Sequence, residues 1–205
     1  MKKLLILLFT ALALFASPYT GFMKLKKGDW AKYTIYTDEG TFSMTTKFLG
    51  TTEYKGLKVN IVEIESNGMV TQYWSAVGND RAIQKLITKT PQGIMCMSEE
   101  MIGMMNADKN AGYHTTTPKE YNPNKPHIKF TTYTLPNGKK IKVAIFKNKN
   151  SEVWVSSQVP FGIVLAKENG KTVMKLEDFG SGAKPTIPLK EAHSCTPMVL
   201  PFPTM

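Results

Sequence analysis

The sequence predicts a mainly β protein: a curved antiparallel sheet wrapped round an apolar interior, with one short Met-rich helix over its concave face. Three observations lead there. From Gly28 onward, stretches of about eight to ten residues alternate apolar and polar side chains and close on Gly, Asn, Asp or Pro clusters, the pattern of half-buried strands joined by short turns. Asn67-Gly68 and Asn137-Gly138 supply the positive φ angles that tight hairpins require. Helical spacing is confined to one stretch, 98–105. A sheet of roughly nine or ten strands with one helix cannot cover both faces with helical layers, so it must curl into a barrel, a half-open barrel or a sandwich.

Taken in order, the first segment reads as an address. Lys2 and Lys3 precede an apolar run from Leu4 to Phe15, broken only by Thr10 and ended by Ala16-Ser17-Pro18. The run is too short for a membrane span, which needs ~20 residues, so 1–16 is expected to be a secretory signal peptide. The remaining 17–205 is expected to form a single exported, periplasmic domain. Strand 30–37 places Ala31, Tyr33 and Ile35 on one face, and 41–49 alternates through Phe42, Met44, Thr46 and Phe48. Strands 57–65 and 69–76 flank the first Asn-Gly turn, 81–88 follows, and 127–135 with 139–147 flank the second. Strands 152–158, 162–166 and 171–178 complete the series.

Between Pro91 and Pro126 the rhythm changes. Ser98 can cap a helix whose first turn holds Glu99 and Glu100, followed by Met101, Ile102, Met104 and Met105 at amphipathic spacing. From Asp108 to Pro126 no periodicity survives, which predicts a long loop.

The 205 residues carry 26 Lys and Arg against 16 Asp and Glu, a net charge of +10 that becomes +8 once Lys2 and Lys3 are removed. Lys24, Lys26, Lys27, Lys139, Lys140, Lys142, Lys147 and Lys149 are dispersed, which suits solvated strand faces or a face against anionic head groups. Export argues against nucleic acid. With 42% apolar residues the chain is neither disordered nor of low complexity.

Chemical motifs are sparse. His114, His127 and His193 form no close ligand pair, and 180–184 lacks full phosphate-loop spacing. Glu63 and Glu65 share one strand face and could act as acid and base, although a solvated face is the simpler expectation. Cys96 and Cys195 can form one disulfide in an exported chain. Five of the twelve methionines fall between Met95 and Met105. Thioethers suit Cu(I), with Cys195 and His193 as further ligands, but unbranched Met equally suits a soft apolar lid.

The segment EVWVSSQVPFGIVL at 152–165 and KLEDFG at 175–180, with Trp154, Val159, Pro160, Phe161 and Gly162 carrying the similarity, resembles periplasmic members of the superfamily of lipoprotein-localisation factors, the LolA/LolB-like half-barrels. That resemblance implies an unclosed antiparallel half-barrel whose apolar cavity holds acyl chains. Known carriers begin with a helix before their first strand, whereas 17–27 here is short and runs almost directly into Trp30. The resulting expectation is a monomeric, non-enzymatic, cofactor-free carrier of a lipid, lipoprotein acyl chain or other hydrophobic ligand, with an envelope protein or membrane surface as further partner. Met101, Ile102, Met104 and Met105 would form its cover, and Trp30, Phe42, Phe48, Trp74 and Trp154 its walls. Copper handling and a packed structural envelope protein are the alternatives.

Overall fold

A computed structural model describes residues 25–78, 82–112, 128–147 and 149–195. The expected signal peptide, most of the expected 108–126 loop, His114 and His127 lie outside the described residues. The strands are β1 (Trp30–Thr37), β2 (Gly40–Tyr54), β3 (Leu57–Ser66), β4 (Met69–Ala76), β5 (Ile83–Thr90), β6 (Gly93–Cys96), β7 (Lys129–Thr134), β8 (Lys140–Lys147), β9 (Ser151–Val155), β10 (Ile163–Glu168) and β11 (Lys171–Gly180). Two short helices join them, α1 (Glu99–Gly112) after β6 and α2 (Leu189–Ser194) after β11. The eleven strands form one sheet in the order β6-β5-β4-β3-β2-β1-β11-β10-β9-β8-β7. Because β6 and β7 stand at its two ends, the sheet does not close.

Local chemistry explains most boundaries. Asn67-Gly68 and Asn169-Gly170 have φ of 50° and 73° and of 50° and 79°, the paired positive angles of two-residue hairpin turns. Lys55-Gly56 adopts the same geometry at 50° and 74°. A left-handed lysine costs about 1 kcal/mol, so nothing in that dipeptide announces a turn, and β2 runs five residues beyond its expected end at Leu49. A bulge between Phe48 and Gly50 lets the long strand bend. Strand β6 has only four residues and α2 only six, too few for periodicity to reveal either. Ser98 caps α1 by accepting from the Met101 amide at 3.3 Å. The helix continues to Gly112, so residues 108–112, expected in the loop, are helical.

The chain divides into two compact units. One contains β1 and β7–β11. Its register sets Met174, Ala166, Val153 and Phe146 in one cross-strand row, with Val155, Ala144 and Phe130 in the neighbouring row on the same face. The opposite face carries Lys175, Leu165, Trp154 and Ile145. The β9–β10 connection turns at Phe161 and Gly162, with φ of 64° and 74°, and the Ser156 amide donates to the Gly162 carbonyl at 2.8 Å. Val159 and Phe161 are buried within it.

The other unit contains β2–β6, α1 and the C-terminal segment from Ser181. Its core joins Leu49, Val59, Ile61, Trp74 and Ile87 of the sheet to Ile187 and Ala192 of that segment. The segment lies as a strap across one sheet face. Its start is fixed by Gly28, which has φ +88° and whose carbonyl accepts from the Ala183 amide at 2.9 Å. A Cβ at Gly28 would stand 3.1 Å from the Gly182 nitrogen, so only glycine admits this approach.

Candidate functional site

Under the strap lies a buried polar network. Strand pairing sets Lys47, Glu63, Gln72, Ile87 and Cys96 in one row across β2 to β6. Glu63, fully buried, accepts from Lys47 Nζ at 3.1 Å, Gln72 Nε2 at 2.9 Å, and the strap amides of Thr186 at 2.9 Å and Ile187 at 3.1 Å. Gln72 Nε2 also donates to the Ile187 carbonyl at 2.7 Å, and Trp74 Nε1 donates to Gln72 Oε1 at 3.3 Å. Lys47 Nζ further reaches Glu65 Oε1 at 2.6 Å, Thr186 Oγ1 at 2.8 Å and the Lys184 carbonyl at 3.3 Å.

Glu63 and Glu65 thus share a face, but a strapped one and not the solvated one expected. Four donors fill the lone pairs of Glu63, leaving none with which to take a substrate proton. Phase carried this signal: Glu63 follows Val59 and Ile61 at the inward positions of β3, whose burial alternates accordingly. Lys47, Gln72 and Thr186 carry no comparable mark, because only the fold brings them to Glu63.

Burial raises the carboxyl pKa of Glu65, but hydrogen bonds from Lys47 and Thr186 outweigh it and hold the group below the usual carboxylate range. A depressed folded value means the unfolded chain binds protons first as pH falls. The contribution of Glu65 to stability is therefore present above the unfolded pKa and disappears as pH drops through the folded one. Urea midpoints measured at about pH 6 and about pH 3 should fall further for the native chain than for Glu65→Gln. Equal slopes for the two would remove Glu65 from the acid response.

The far end of the strap is bonded covalently. Cys96 and Cys195 form a disulfide with Cα atoms 6.0 Å apart, within the usual span. His193 meets the Trp74 ring edge-on at 4.5 Å, and its carbonyl accepts from Lys85 Nζ at 3.0 Å. Lys85 lies over Tyr54 and Trp74, and burial followed by repulsion from Lys55 lowers its pKa.

Among the expected wall and lid residues, Trp74 is sealed under the strap and Trp154 is half-buried, donating to Glu152 Oε1 at 2.7 Å. Neither lines an open apolar surface; each indole N–H has turned toward an oxygen acceptor. Trp30 and Phe42 are half-buried, and Phe48 is buried. The Asn106 side chain accepts from the Ile83 amide at 3.1 Å and donates to the Ile83 carbonyl at 2.9 Å, satisfying β5 beyond the end of β6. That anchor orients α1. Ile102 is buried and Met105 half-buried, while Met101 and Met104 turn outward. Thr46 Oγ1 and Tyr73 Oη are buried without a hydrogen-bond partner among the described residues, as is Tyr33 Oη in the other unit. Burial pushes both phenols up.

In the β1/β7–β11 unit the two faces differ. Ile141 and Val143, on the Trp154 side, are buried. On the opposite face exposure climbs from buried Met174 and Ala166 through half-buried Val153 and Phe146 to Phe130, which is 77% exposed on β7. The described residues of this unit include no helix that could cover it. Elsewhere, Thr51, Thr52, Glu53, Gly56 and Lys58 line an open notch of about 460 Å³ at the β2–β3 hairpin. Among the described residues no group of three or more His, Cys, Asp or Glu could hold a metal ion, and no helix is long and apolar enough to cross a membrane. No protein-family model matches the chain, and no curated protein is significantly similar to it.

Proposed function

We propose that the chain is a periplasmic, non-enzymatic carrier of the LolA/LolB-like kind, holding a lipid, a lipoprotein acyl chain or another hydrophobic ligand against the apolar face of its sheet. One observation carries the reading: the apolar rows of the β1/β7–β11 unit, from Met174 and Ala166 through Val153 to Phe130, receive no covering helix from the described residues of their own unit. At ~0.8 kcal/mol per buried CH₂, an acyl chain laid on such a face is held without any covalent step. The stretch that carries the family resemblance, 152–165, forms β9, the turn at Phe161 and β10, so it helps build this face. The copper alternative loses both thiols to the disulfide.

Native and denaturing mass spectrometry on protein secreted into an oxidising periplasm and purified without detergent tests this reading. Adducts in the lipid mass range, released on denaturation, are the expected result. A bare mass that also gains nothing on incubation with a long-chain fatty acid or a phospholipid would overturn it.

A further inference from the structure

The β7–β8 hairpin combines a lysine-rich, carboxylate-free sequence with the most exposed large hydrophobic side chain among the described residues. Residues 128–147 contain Lys129, Lys139, Lys140, Lys142 and Lys147 and no Asp or Glu. The same stretch exposes Ile128 at 44% and Phe130 at 77%. Pairing of Phe130 with Ala144, Thr132 with Lys142 and Thr134 with Lys140 sets Phe130, Lys142 and Lys140 on one face, successively along the hairpin. Among the described residues, Lys129, Lys140 and Lys142 enter no ion pair, whereas Lys147 and Lys167 are drawn to Glu152 on the other side of the sheet. Strand β7 stands at the end of the sheet order.

We propose that this hairpin docks on an anionic lipid surface, Phe130 and Ile128 entering the head-group boundary while Lys129, Lys140 and Lys142 meet lipid phosphates. The charge sign selects the partner. An exposed aromatic beside unpaired ammonium groups, with no carboxylate in the hairpin, fits a negatively charged interface better than an apolar protein surface, where each lysine would be desolvated without compensation. The lysine stems can lie along the sheet while their heads reach outward to phosphate. Phe130 also ends the apolar rows of the proposed ligand face, but docking rests on the charge and exposure of the hairpin, so a ligand-free protein would dock equally.

Co-sedimentation of the secreted chain with phosphatidylcholine vesicles, and with vesicles in which half the lipid is phosphatidylglycerol, tests it. Binding is expected to the second alone and to weaken at high salt. With each lysine near the surface worth about fivefold, Lys140→Gln with Lys142→Gln should weaken binding roughly 30-fold, and Phe130→Ser roughly tenfold. The same two substitutions at exposed lysines of the other unit, Lys58→Gln with Lys89→Gln, should leave it unchanged. All these positions are exposed, and matching thermal unfolding midpoints verify folding. Equal binding to both vesicles, none to either, or an equal loss in the control pair would overturn the proposal. Lipid adducts without vesicle docking would sink this inference and leave the carrier reading standing; docking without adducts would do the reverse.

Discussion

Glu63→Ala is expected to destabilise the protein by about 3–5 kcal/mol, because it removes the fully buried acceptor of four donors and leaves Lys47, whose side chain is only 11% exposed, with Glu65 as its remaining carboxylate. Gln72 Nε2 loses one acceptor and the strap amides of Thr186 and Ile187 lose theirs at the same time. The readout is the urea midpoint at unchanged slope. Replacing both side chains, Lys47→Met with Glu63→Leu, should recover part of the loss by filling the cavity and removing a buried cation that has lost one of its two carboxylates, but not all of it, since the strap amides still lack acceptors. A change below about 1 kcal/mol for Glu63→Ala would show that the strap is held without this network.

Removing the disulfide, by Cys96→Ala with Cys195→Ala, is expected to cost about 4–5 kcal/mol in the chain-entropy account, since the bond closes a span of 99 positions. Its local signature is more specific. Glu63 and Lys47 grip the strap at Lys184, Thr186 and Ile187, whereas α2 beyond them is held by the Cys195 bond together with buried Ala192 and the His193 contacts to Trp74 and Lys85. Amide hydrogen exchange in the reduced protein should therefore speed up much more across Leu189–Ser194 than at the Thr186 and Ile187 amides, compared with the oxidised protein. Equal acceleration at both stretches would mean the strap detaches as one piece and that the Glu63 grip does not act independently of the bond.

Much of the architecture is written in local order. Strands β1, β3 and β4 begin and end within a residue of where alternation and Asn-Gly turns place them, because side-chain period and turn chemistry are properties of neighbouring residues. Helix α1 declares itself through Ser98 and its acidic first turn. Its facing does not: Met101, Ile102, Met104 and Met105 offer a cover in more than one orientation, and the choice rests on Asn106 meeting Ile83, a residue well removed from it in the chain.

The candidate site was less legible for the same reason. Trp74 and Trp154 read as equivalent apolar walls, yet one is sealed beneath a strap that begins more than a hundred residues later and the other is drawn to Glu152. Glu63 could be seen as a carboxylate in an apolar phase, but its four donors come from β2, β4 and the C-terminal segment. Residue order alone announced ten of the eleven strands, the Asn-Gly turns, the start of α1 and the two cysteines available for a bond, all of which depend on short-range periodicity and residue type. Tertiary structure alone decided which face of β3 is strapped, which aromatics are sealed, and that Phe130 stands exposed beside Lys140 and Lys142, because burial and hydrogen-bond partnership are set by segments distant in the chain.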